Sequence, residues 1–519
     1  MSSLFRSDWQ LDAQGTLERR SPADSTLLVA CLQKARCDPA ACLLAAFFVF
    51  FTLPTSLLLA IIVPPGEVPD EPAHLLRADS LLYGEILGER HPVTRDGTTR
   101  SQAGLRGNPG LFAADLPGPL GHLEQKKVSI AKMAALQSAS WSPAPQWIEC
   151  PTTATYMPLF YLPEAAVLGV AQLLHLSPYH AILAARLANA LCFVALGISA
   201  LLVARKGRIL LFCALTLPMT VSLAASCNPD GLIITTSALA FALLTRAHGP
   251  HGLVYWTSVC LLALVIAAKI AYLPLAFLLL IPCVGRDGGK ERLVRGLQAT
   301  ALAIVPGIIW AAITMYFVST PYPVFPAYHP GPLWPGDPGA AFDAPNAAAQ
   351  ILVFVHRPLY PLILPIKTLK TNWTWVRNSM LGMFGWIEFG LQDWMYSAWS
   401  WALGFAILGD VLSSCETRDT RSSWMVSLLG LVTVAITFLA IYDAEYLVWT
   451  RVGAPVIDGV QGRYLIPLLP ALAASLPAFN FHRYQAVKWR FLAALPALVM
   501  AAIGMIALPW LMVSTYYLR

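Results

Sequence analysis

The sequence predicts an all-α polytopic membrane protein with about eleven transmembrane helices. The 519-residue chain is 57% hydrophobic and only 12% charged, whereas soluble domains are about 25% charged. Several uncharged runs approach or exceed the roughly 20 residues that cross a bilayer core. These runs do not alternate apolar and polar residues, so they are typical of helices and not of barrel strands.

The composition also argues against other classes of protein. The net charge of +6 is spread over the loops and does not indicate a nucleic-acid partner. The ten cysteines include no CxxC pair, so they support neither a metal site nor a disulfide framework. No cleavable signal peptide is expected, because the N-terminal segment is polar and the first apolar run is too long for one.

The apolar runs give the expected order of elements. An N-terminal tail, 1–40, precedes a first span at 41–64, and a polar loop follows at 65–155. A second polar, proline-rich region covers 320–392. The remaining spans are expected near 156–176, 181–204, 208–226, 229–246, 253–284, 296–319, 393–413, 424–443, 463–479 and 491–513.

Basic loops orient the predicted chain in the membrane. Lys and Arg accumulate in Gly285–Arg295, in Phe481–Arg490 and in the N-terminal tail, and the positive-inside rule places all three in the cytoplasm. Both large polar regions, 65–155 and 320–392, then lie on the extracytoplasmic side. Transporters more often have two similar halves with short loops on both sides. Two large loops on one face therefore favour chemistry at that face.

The middle of this topology depends on one segment. The scheme requires 253–284 to be a single long helix, tilted or kinked near Pro274, and it places the basic Ala204–Arg208 outside against its charge. It also puts Asp230 on the cytoplasmic side, away from the large loops. A hairpin broken at Lys269 would move Ala204–Arg208 to the other side.

The first acidic cluster lies where the first span ends, in PPGEVPDEPAHLLRA, 64–78. Asp70 and Glu71 precede a predicted short amphipathic helix at the membrane surface, with His74 and Arg77 on its polar side. One interpretation is that Asp70 caps this helix. The other is that it is a general base, which takes a proton from a hydroxyl at the edge of the bilayer.

Two cations are placed where a negatively charged ligand could reach them. Arg463, beside Gln461 and Tyr464, lies in GVQGRYLIPLLP, 459–470, where the outer loop enters a span. Its guanidinium could bind a phosphate through paired hydrogen bonds, or it could extend along the helix end towards water. Lys269 interrupts an apolar run, and an ammonium at that depth usually faces a cavity or a partner.

A metal site is not expected. His74 could join Asp70 and Glu71 as a ligand, but three near neighbours on one short strip give poor coordination geometry. No cofactor is therefore predicted, although a divalent metal stays possible.

Six stretches carry a resemblance to a known group of enzymes. They are PDEPAHLLRA, YMPLFYLPEA, CNPDG, KIAYLPL, FGWIEFGL and QGRYLIPLLP, spread over about 65–470. The arrangement resembles the GT-C superfamily of membrane glycosyltransferases and, within it, a bacterial family of predicted membrane proteins of unknown function. The resemblance implies a GT-C-like catalytic module over 41–319, a second outer loop or lid over 320–392, and C-terminal helices over 393–519. Interfacial helices are implied in both outer loops.

The resemblance also implies roles for individual residues. In that superfamily an acidic residue after the first span, often in a DE pair, is the catalytic base. Asp70 matches it, and its neighbour Glu71 is the second catalytic candidate. A cationic residue near the outer face holds the donor phosphate, and Arg463 is the candidate by position. Lys269 or Arg77 would offset the charge of the leaving group, and His74, Gln461 and Tyr464 are further candidates for binding the substrate. The DE pair departs from relatives in being enclosed by two prolines.

The implied activity is inverting transfer of a sugar from a polyprenyl-monophosphate-linked donor to an envelope acceptor. The acceptor would be a glycan, a glycolipid or a protein, on the extracytoplasmic side of a bacterial inner membrane. One alternative is a lipid-linked glycan polymerase or ligase that uses diphosphate donors. Another is a transporter for a polyprenyl phosphate or a solute, which would need Lys269, Glu164 and Arg186 in a cavity.

Overall fold

Long apolar helices form the frame of the protein. The computed structural model describes residues 9–11, 17–19, 38–95, 97–114, 127–284, 289–320, 346–412, 420–477 and 483–518. Within them, five helices are long and apolar enough to cross a membrane, or six if one pair bent by 105° is a single span. The five are Pro39–Ile62, Pro178–Val203, Lys290–Phe317, Trp424–Val448 and Phe491–Tyr516, and the bent pair is Ala347–His356 with Tyr360–Thr371. The prediction of a helical membrane protein is thus confirmed.

The elements follow in this order. The α-helices are α1 (Pro39–Ile62), α2 (Glu71–Ser80), α3 (Pro109–Ala113), α4 (Ile130–Gln137), α5 (Leu162–Leu173), α6 (Pro178–Val203), α7 (Arg208–Thr216), α8 (Pro218–Ala224), α9 (Asp230–Leu244), α10 (Gly252–Ala268), α11 (Lys290–Phe317), α12 (Ala347–His356), α13 (Tyr360–Thr371), α14 (Trp373–Leu381), α15 (Asp393–Leu412), α16 (Thr420–Val448), α17 (Leu468–Ser475) and α18 (Arg483–Tyr516). The 3₁₀ helices are Leu81–Tyr83, Thr153–Thr155, Pro158–Tyr161, Ile270–Cys283 and Gly462–Leu465. The strands are β1 (Trp9–Leu11), β2 (Leu17–Arg19), β3 (Glu89–Arg95), β4 (Thr98–Gly107), β5 (Gln146–Glu149), β6 (Met383–Phe384) and β7 (Phe389–Gly390).

Several of the expected spans are shorter or broken. The run 208–226 divides into α7 and α8 before Pro218, and 463–479 divides into a 3₁₀ turn and α17 at Pro467. Proline lacks an N–H and clashes with the preceding turn, so it ends a helix at such positions. The run 156–176 contains only a short 3₁₀ turn and α5.

The predicted long helix over 253–284 is wrong. The chain reverses at Lys269, not at Pro274, and continues as the 3₁₀ helix. Tyr255 Oη donates to the Leu279 carbonyl at 3.1 Å, so the two halves run antiparallel. This hairpin brings Lys269 to the same end of the bundle as the start of α9.

The bundle has two chemically different ends. The end at which α1 begins is called the far end. There, Arg208 Nη1 lies 2.6 Å from Asp38 Oδ2, so Ala204–Arg208 is beside the start of α1. The opposite end, which carries Asp70 and Lys269, is called the site end. There, α1 and α18 finish together, and Tyr517 Oη donates to the Ile62 carbonyl at 2.7 Å. The expectation that Ala204–Arg208 shares a face with the large loops is therefore wrong, because the hairpin at Lys269 adds a reversal.

The polar region 65–155 contains a small β-sheet, which corrects the all-α prediction. Strands β3, β4 and β5 pair antiparallel in that order, with Gly97 in a left-handed turn (φ 72°) between the first two. Glycine adopts that conformation without steric cost. One face of the sheet packs on α2 through a small apolar cluster that includes Leu76, Ala103 and Leu105.

The second polar region combines helices with a tight hairpin. Residues 321–345, like most of the predicted tail 1–40, lie outside the described residues. The described remainder is α12, α13, α14 and the β6–β7 hairpin. Trp386 Nε1 donates to the Gly66 carbonyl at 2.9 Å, so this hairpin covers the turn that follows α1.

Candidate functional site

Asp70 projects from a strained turn and does not cap the helix that follows. Its backbone is left-handed (φ 63°), and its side chain makes no capping hydrogen bond. An L-residue pays roughly 1–2 kcal/mol for that conformation. The carboxylate is 49% exposed, and its Oδ2 lies 2.5 Å from Arg463 Nη2. The capping interpretation is thus wrong, and a partly exposed carboxylate is directed at a buried guanidinium.

Glu71 points the opposite way, into the protein. Its carboxylate is buried and accepts from Gly66 N (3.1 Å), Cys227 N (2.9 Å) and Arg186 Nε (2.7 Å) and Nη2 (2.5 Å). Arg186, fully buried on α6, also donates to the Val63 carbonyl at 2.5 Å. Glu71 was predicted to be catalytic, but these contacts give it a positioning role. It fixes the turn on which Asp70 stands.

A second acidic residue joins the site from the turn before α9. Asn228 Nδ2 donates to the Pro69 carbonyl at 3.3 Å and so holds this turn against the Asp70 segment. Asp230 Oδ1 accepts from Lys269 Nζ at 2.5 Å. The prediction that Asp230 lies on the other side of the membrane is therefore wrong. The reversal at Lys269 explains the difference.

Arg463 lies between the two carboxylates. It is 3% exposed, and its Nε is 3.9 Å from Asp230 Oδ2, while its Nη2 contacts Asp70. Within the described part of the chain, its buried Nε and Nη1 atoms reach no acceptor at hydrogen-bonding distance, although the Tyr464 side chain interacts with the guanidinium. An unsatisfied buried donor on a charged group costs several kcal/mol. A negatively charged ligand that accepts from these atoms would remove that cost.

A tight backbone contact sets the position of Arg463. Gly462 N donates to Ser379 Oγ at 2.8 Å, and a Cβ atom at residue 462 would lie 1.9 Å from the Val376 carbonyl oxygen. The 3₁₀ turn that carries Arg463 therefore touches α14 backbone to backbone.

Gly462→Ala is expected to push this turn away from α14, because neither backbone can yield easily. We expect a loss of roughly 1–3 kcal/mol in stability. Gly404→Ala is the matched control, since a Cβ there meets no atom within 4 Å. Thermal unfolding of both variants in detergent measures the difference, and equal melting temperatures would contradict the contact.

Asp70, Asp230, Lys269 and Arg463 form a charged cluster, which Tyr464 and Glu445 complete. Lys269 Nζ lies 4.9 Å from the centre of the Tyr464 ring, and Arg463 Cζ lies 5.4 Å from it. Such cation–π contacts stabilise cations by about 0.5–2 kcal/mol. Glu445, on α16, interacts electrostatically with Lys269, Arg463 and Asp70.

His74 borders the cluster as a neutral side chain. Burial lowers the pKa of His74 to about 4, so the imidazole carries no charge at neutral pH. Its Nδ1 is 2.7 Å from the Tyr161 hydroxyl. Helix α2 was predicted to lie on the membrane surface, but most of its residues are buried beneath the sheet and α5. A buried helix needs partners for its polar side chains, and Tyr161 provides one for His74.

Arg77 and Gln461 were also predicted to bind substrate. Arg77 is fully buried and donates to the carbonyls of Tyr156 (3.0 Å), Glu85 (3.0 Å) and Ile86 (2.6 Å). Through these hydrogen bonds, Arg77 holds the surrounding loops together. Gln461 is half-buried beside the Arg463 turn, and its carbonyl accepts from Tyr464 N at 3.1 Å.

The described residues contain no group of three or more His, Cys, Asp or Glu side chains arranged to hold a metal ion. Asp70, Glu71 and His74, the trio considered from the sequence, turn towards three different partners: Arg463, Arg186 and Tyr161.

The structure thus brings together Asp70, Lys269, Arg463 and Tyr464, with His74 at the edge, and separates Glu71 and Arg77 from them. Sequence reasoning misplaced Asp230 and overlooked Glu445. A signal existed for Glu445, because an acid close to an apolar run is as unusual as Lys269.

The comparisons with known proteins identify a family. Residues 53–472 match DUF2142, described as a predicted membrane protein. The match spans Asp70, Asp230, Lys269, Glu445 and Arg463. No curated protein and no solved structure matches the chain. The chain belongs to the DUF2142 family of predicted membrane proteins.

Proposed function

We propose that the protein is an inverting glycosyltransferase of the GT-C type, which moves a sugar from a polyprenyl-monophosphate donor to an envelope acceptor. One observation carries the proposal. Arg463 is buried and keeps two nitrogens without a hydrogen-bond partner in the described structure, while its third contacts the half-exposed Asp70. This arrangement supports a phosphate on the guanidinium and a general base beside it.

We further propose eleven crossings of the membrane. Successive segments run in alternating directions through the bundle, which supports this count when broken and short segments are included. The eleven crossings are α1, α6, α7 with α8, α9, α10, Ile270–Cys283, α11, α15, α16, Gly462–Ser475 and α18. Several of these are shorter than a bilayer core, which is tolerated when the segment is enclosed by protein. Helix α9 is such a case, because nearly all of its residues are buried.

We also propose a bacterial inner membrane as the location, with the site on its extracytoplasmic side, and the charge distribution supports this sidedness. Arg205, Lys206, Arg208 and Arg246 lie at the far end, close to Asp38 and the start of α1. The positive-inside rule assigns such an end to the cytoplasm. The site end then faces outwards, on the side where the proposed donor lipid would present its phosphate.

In the proposed reaction, Asp70 takes the proton from an acceptor hydroxyl. The acceptor oxygen bonds to C1 of the sugar, the bond between C1 and the phosphate oxygen breaks, and its electron pair leaves with the polyprenyl phosphate. Inversion follows from attack opposite the leaving group. Arg463 and Lys269 offset the charge that develops on the leaving phosphate.

The charge balance favours one phosphate over two. The cations Arg463 and Lys269 face the carboxylates Asp70 and Asp230, so these four groups sum to zero. A sugar phosphodiester adds one negative charge to these balanced groups, whereas a diphosphate adds at least two. A diphosphate-dependent ligase would need more cations than this cluster offers.

Arg463→Ala is expected to weaken binding of farnesyl phosphate by about 10- to 100-fold, since a hydrogen bond to a charged group contributes about 1.5–3 kcal/mol. Arg463→Lys should recover part of the affinity, because it restores charge without the planar fork. Titration calorimetry on detergent-solubilised protein measures both.

Arg95→Ala is the control, because Arg95 is also ion-paired (2.6 Å to Glu149) but lies on the outer sheet. Undiminished farnesyl phosphate affinity in folded Arg463→Ala protein would overturn the phosphate role.

A further inference from the structure

Helices α12 and α13, which we together call the bent arm, have one apolar face that no described part of the chain covers. Large side chains on this face are between 47% and 68% exposed. They are Ile351 and Val355 on α12, Leu359 at the bend, and Leu362, Ile363 and Ile366 on α13. Residues three or four apart lie on the same side of a helix, so the exposed positions of each helix form one stripe.

The opposite face fixes the bent arm to the site end of the bundle. On α12, the buried Gln350 Nε2 donates to the carbonyls of Tyr446 (2.9 Å) and Thr450 (3.2 Å), around the end of α16. On α13, the buried Thr368 Oγ1 accepts from Ile457 N at 3.0 Å. The apolar stripe therefore faces away from the protein.

The length and the charge of the bent arm argue against a further span. Helices α12 and α13 have 10 and 12 residues, which makes them about 15 and 18 Å long, whereas a bilayer core is about 30 Å thick. They meet at 105°, with the exposed His356 and Arg357 at the bend. A cation is costly in hydrocarbon, so a bend that carries one favours an arm lying along the membrane surface.

Every charged side chain of the bent arm is basic. Arg357 lies at the bend, and Lys367 and Lys370 continue the exposed face of α13 in its last turns. The sequence has no Asp or Glu between residues 346 and 377. Asp458, next to the Ile457 contact, is an acid of the supporting loop, and the three cations outnumber it. The surface thus combines an apolar stripe with a net positive charge.

We propose that the bent arm binds the anionic phospholipid headgroups of the leaflet at the site end. The stripe contacts the acyl chains, while Arg357, Lys367 and Lys370 contact the headgroups. Amphipathic helices with basic groups bind anionic membrane surfaces in this way. The inference does not depend on the proposed transfer reaction, and it adds a lipid preference to a position at the membrane surface.

The test is amide hydrogen exchange of the full-length protein, followed by mass spectrometry in nanodiscs of phosphatidylglycerol or of phosphatidylcholine. At low salt, peptides from 347–371 should exchange at least about fivefold more slowly in phosphatidylglycerol, which is the effect of one basic residue at an anionic surface. In about 1 M salt the difference should nearly vanish, because the Debye length falls to about 3 Å. Peptides of the β3–β4 hairpin should exchange equally in both lipids.

Two triple variants separate the bent arm from general attraction between protein and lipid. The arm variant combines Arg357→Gln, Lys367→Gln and Lys370→Gln, and it should lose the difference between the two lipids. The control variant removes the same charge from three exposed residues of the outer sheet, through Arg95→Gln, Arg100→Gln and Arg106→Gln. It should keep the slower exchange of 347–371 in phosphatidylglycerol.

Slower exchange in phosphatidylglycerol that disappears only in the arm variant supports the proposal. Equal exchange of wild-type 347–371 in both lipids overturns it, and this is the result expected if the bent pair were a span. A lipid difference that persists in the arm variant, or that both variants lose, also overturns it. If the arm variant does not fold, the wild-type salt series decides, because a lipid difference that salt leaves unchanged contradicts binding through charge.

Discussion

Asp70→Asn is expected to reduce the rate of sugar transfer by about 10²–10⁴-fold, the usual contribution of a general base. The amide keeps the size of the side chain but cannot accept the proton. Because Asp70 is half-exposed and caps no helix, folding should change little. Transfer is measured as release of polyprenyl phosphate by purified protein in nanodiscs, beside thermal unfolding of the same sample.

Asp70→Ser removes the carboxylate but keeps a small polar side chain at a turn where Asp70 makes no side-chain cap. Full transfer activity in Asp70→Ser would end the base hypothesis. The Glu variant is informative in the other direction, because it keeps a carboxylate but moves it by one methylene. Partial activity in Asp70→Glu would agree with a positioned base.

Glu71→Gln is expected to lower the stability of the fold far more than the rate of the transfer step, even though Glu71 is adjacent to Asp70. The change leaves the fully buried Arg186 guanidinium without its counter-charge. Breaking a buried ion pair in this way costs about 3–5 kcal/mol. Thermal unfolding, or the fraction of monodisperse protein after heating, should show the loss.

A double variant tests whether the loss of stability comes from breaking the Glu71–Arg186 ion pair. Glu71→Met with Arg186→Leu removes both charges, and pairs replaced by apolar groups often lose little stability. Recovery of stability in the double variant, with transfer still impaired because the Asp70 turn has lost its anchor, would fit a positioning role. A stable, fully active Glu71→Gln protein would contradict it.

Much of the site was accessible from charge alone. Asp70, Lys269 and Arg463 stand out because a charged group at membrane depth is costly and is retained where it has a partner. The sequence could not separate Asp70 from Glu71. Adjacent carboxylates point in opposite directions here because the backbone is left-handed at Asp70, and contacts from the turn before α9, far away in the sequence, hold this segment.

The errors also have physical causes. Asp230 was misplaced because an apolar run with a single charge, Lys269, conceals a reversal at that residue, although the basic Ala204–Arg208 already disagreed with the single-helix scheme. The β-sheet was missed because a polar loop shows little hydrophobic contrast. Its inner face packs on α2, which cannot be read from the loop itself.

The most direct test of the central claim is the mass of the lipid retained by purified protein. If Asp70 activates the acceptor while Arg463 holds the donor, Asp70→Asn protein should retain a prenyl lipid with one phosphate and one sugar. Wild-type protein should retain the same lipid without the sugar, and Arg463→Ala protein should retain neither. Native mass spectrometry that found a diphosphate lipid, or the same lipid in all three proteins, would contradict the account.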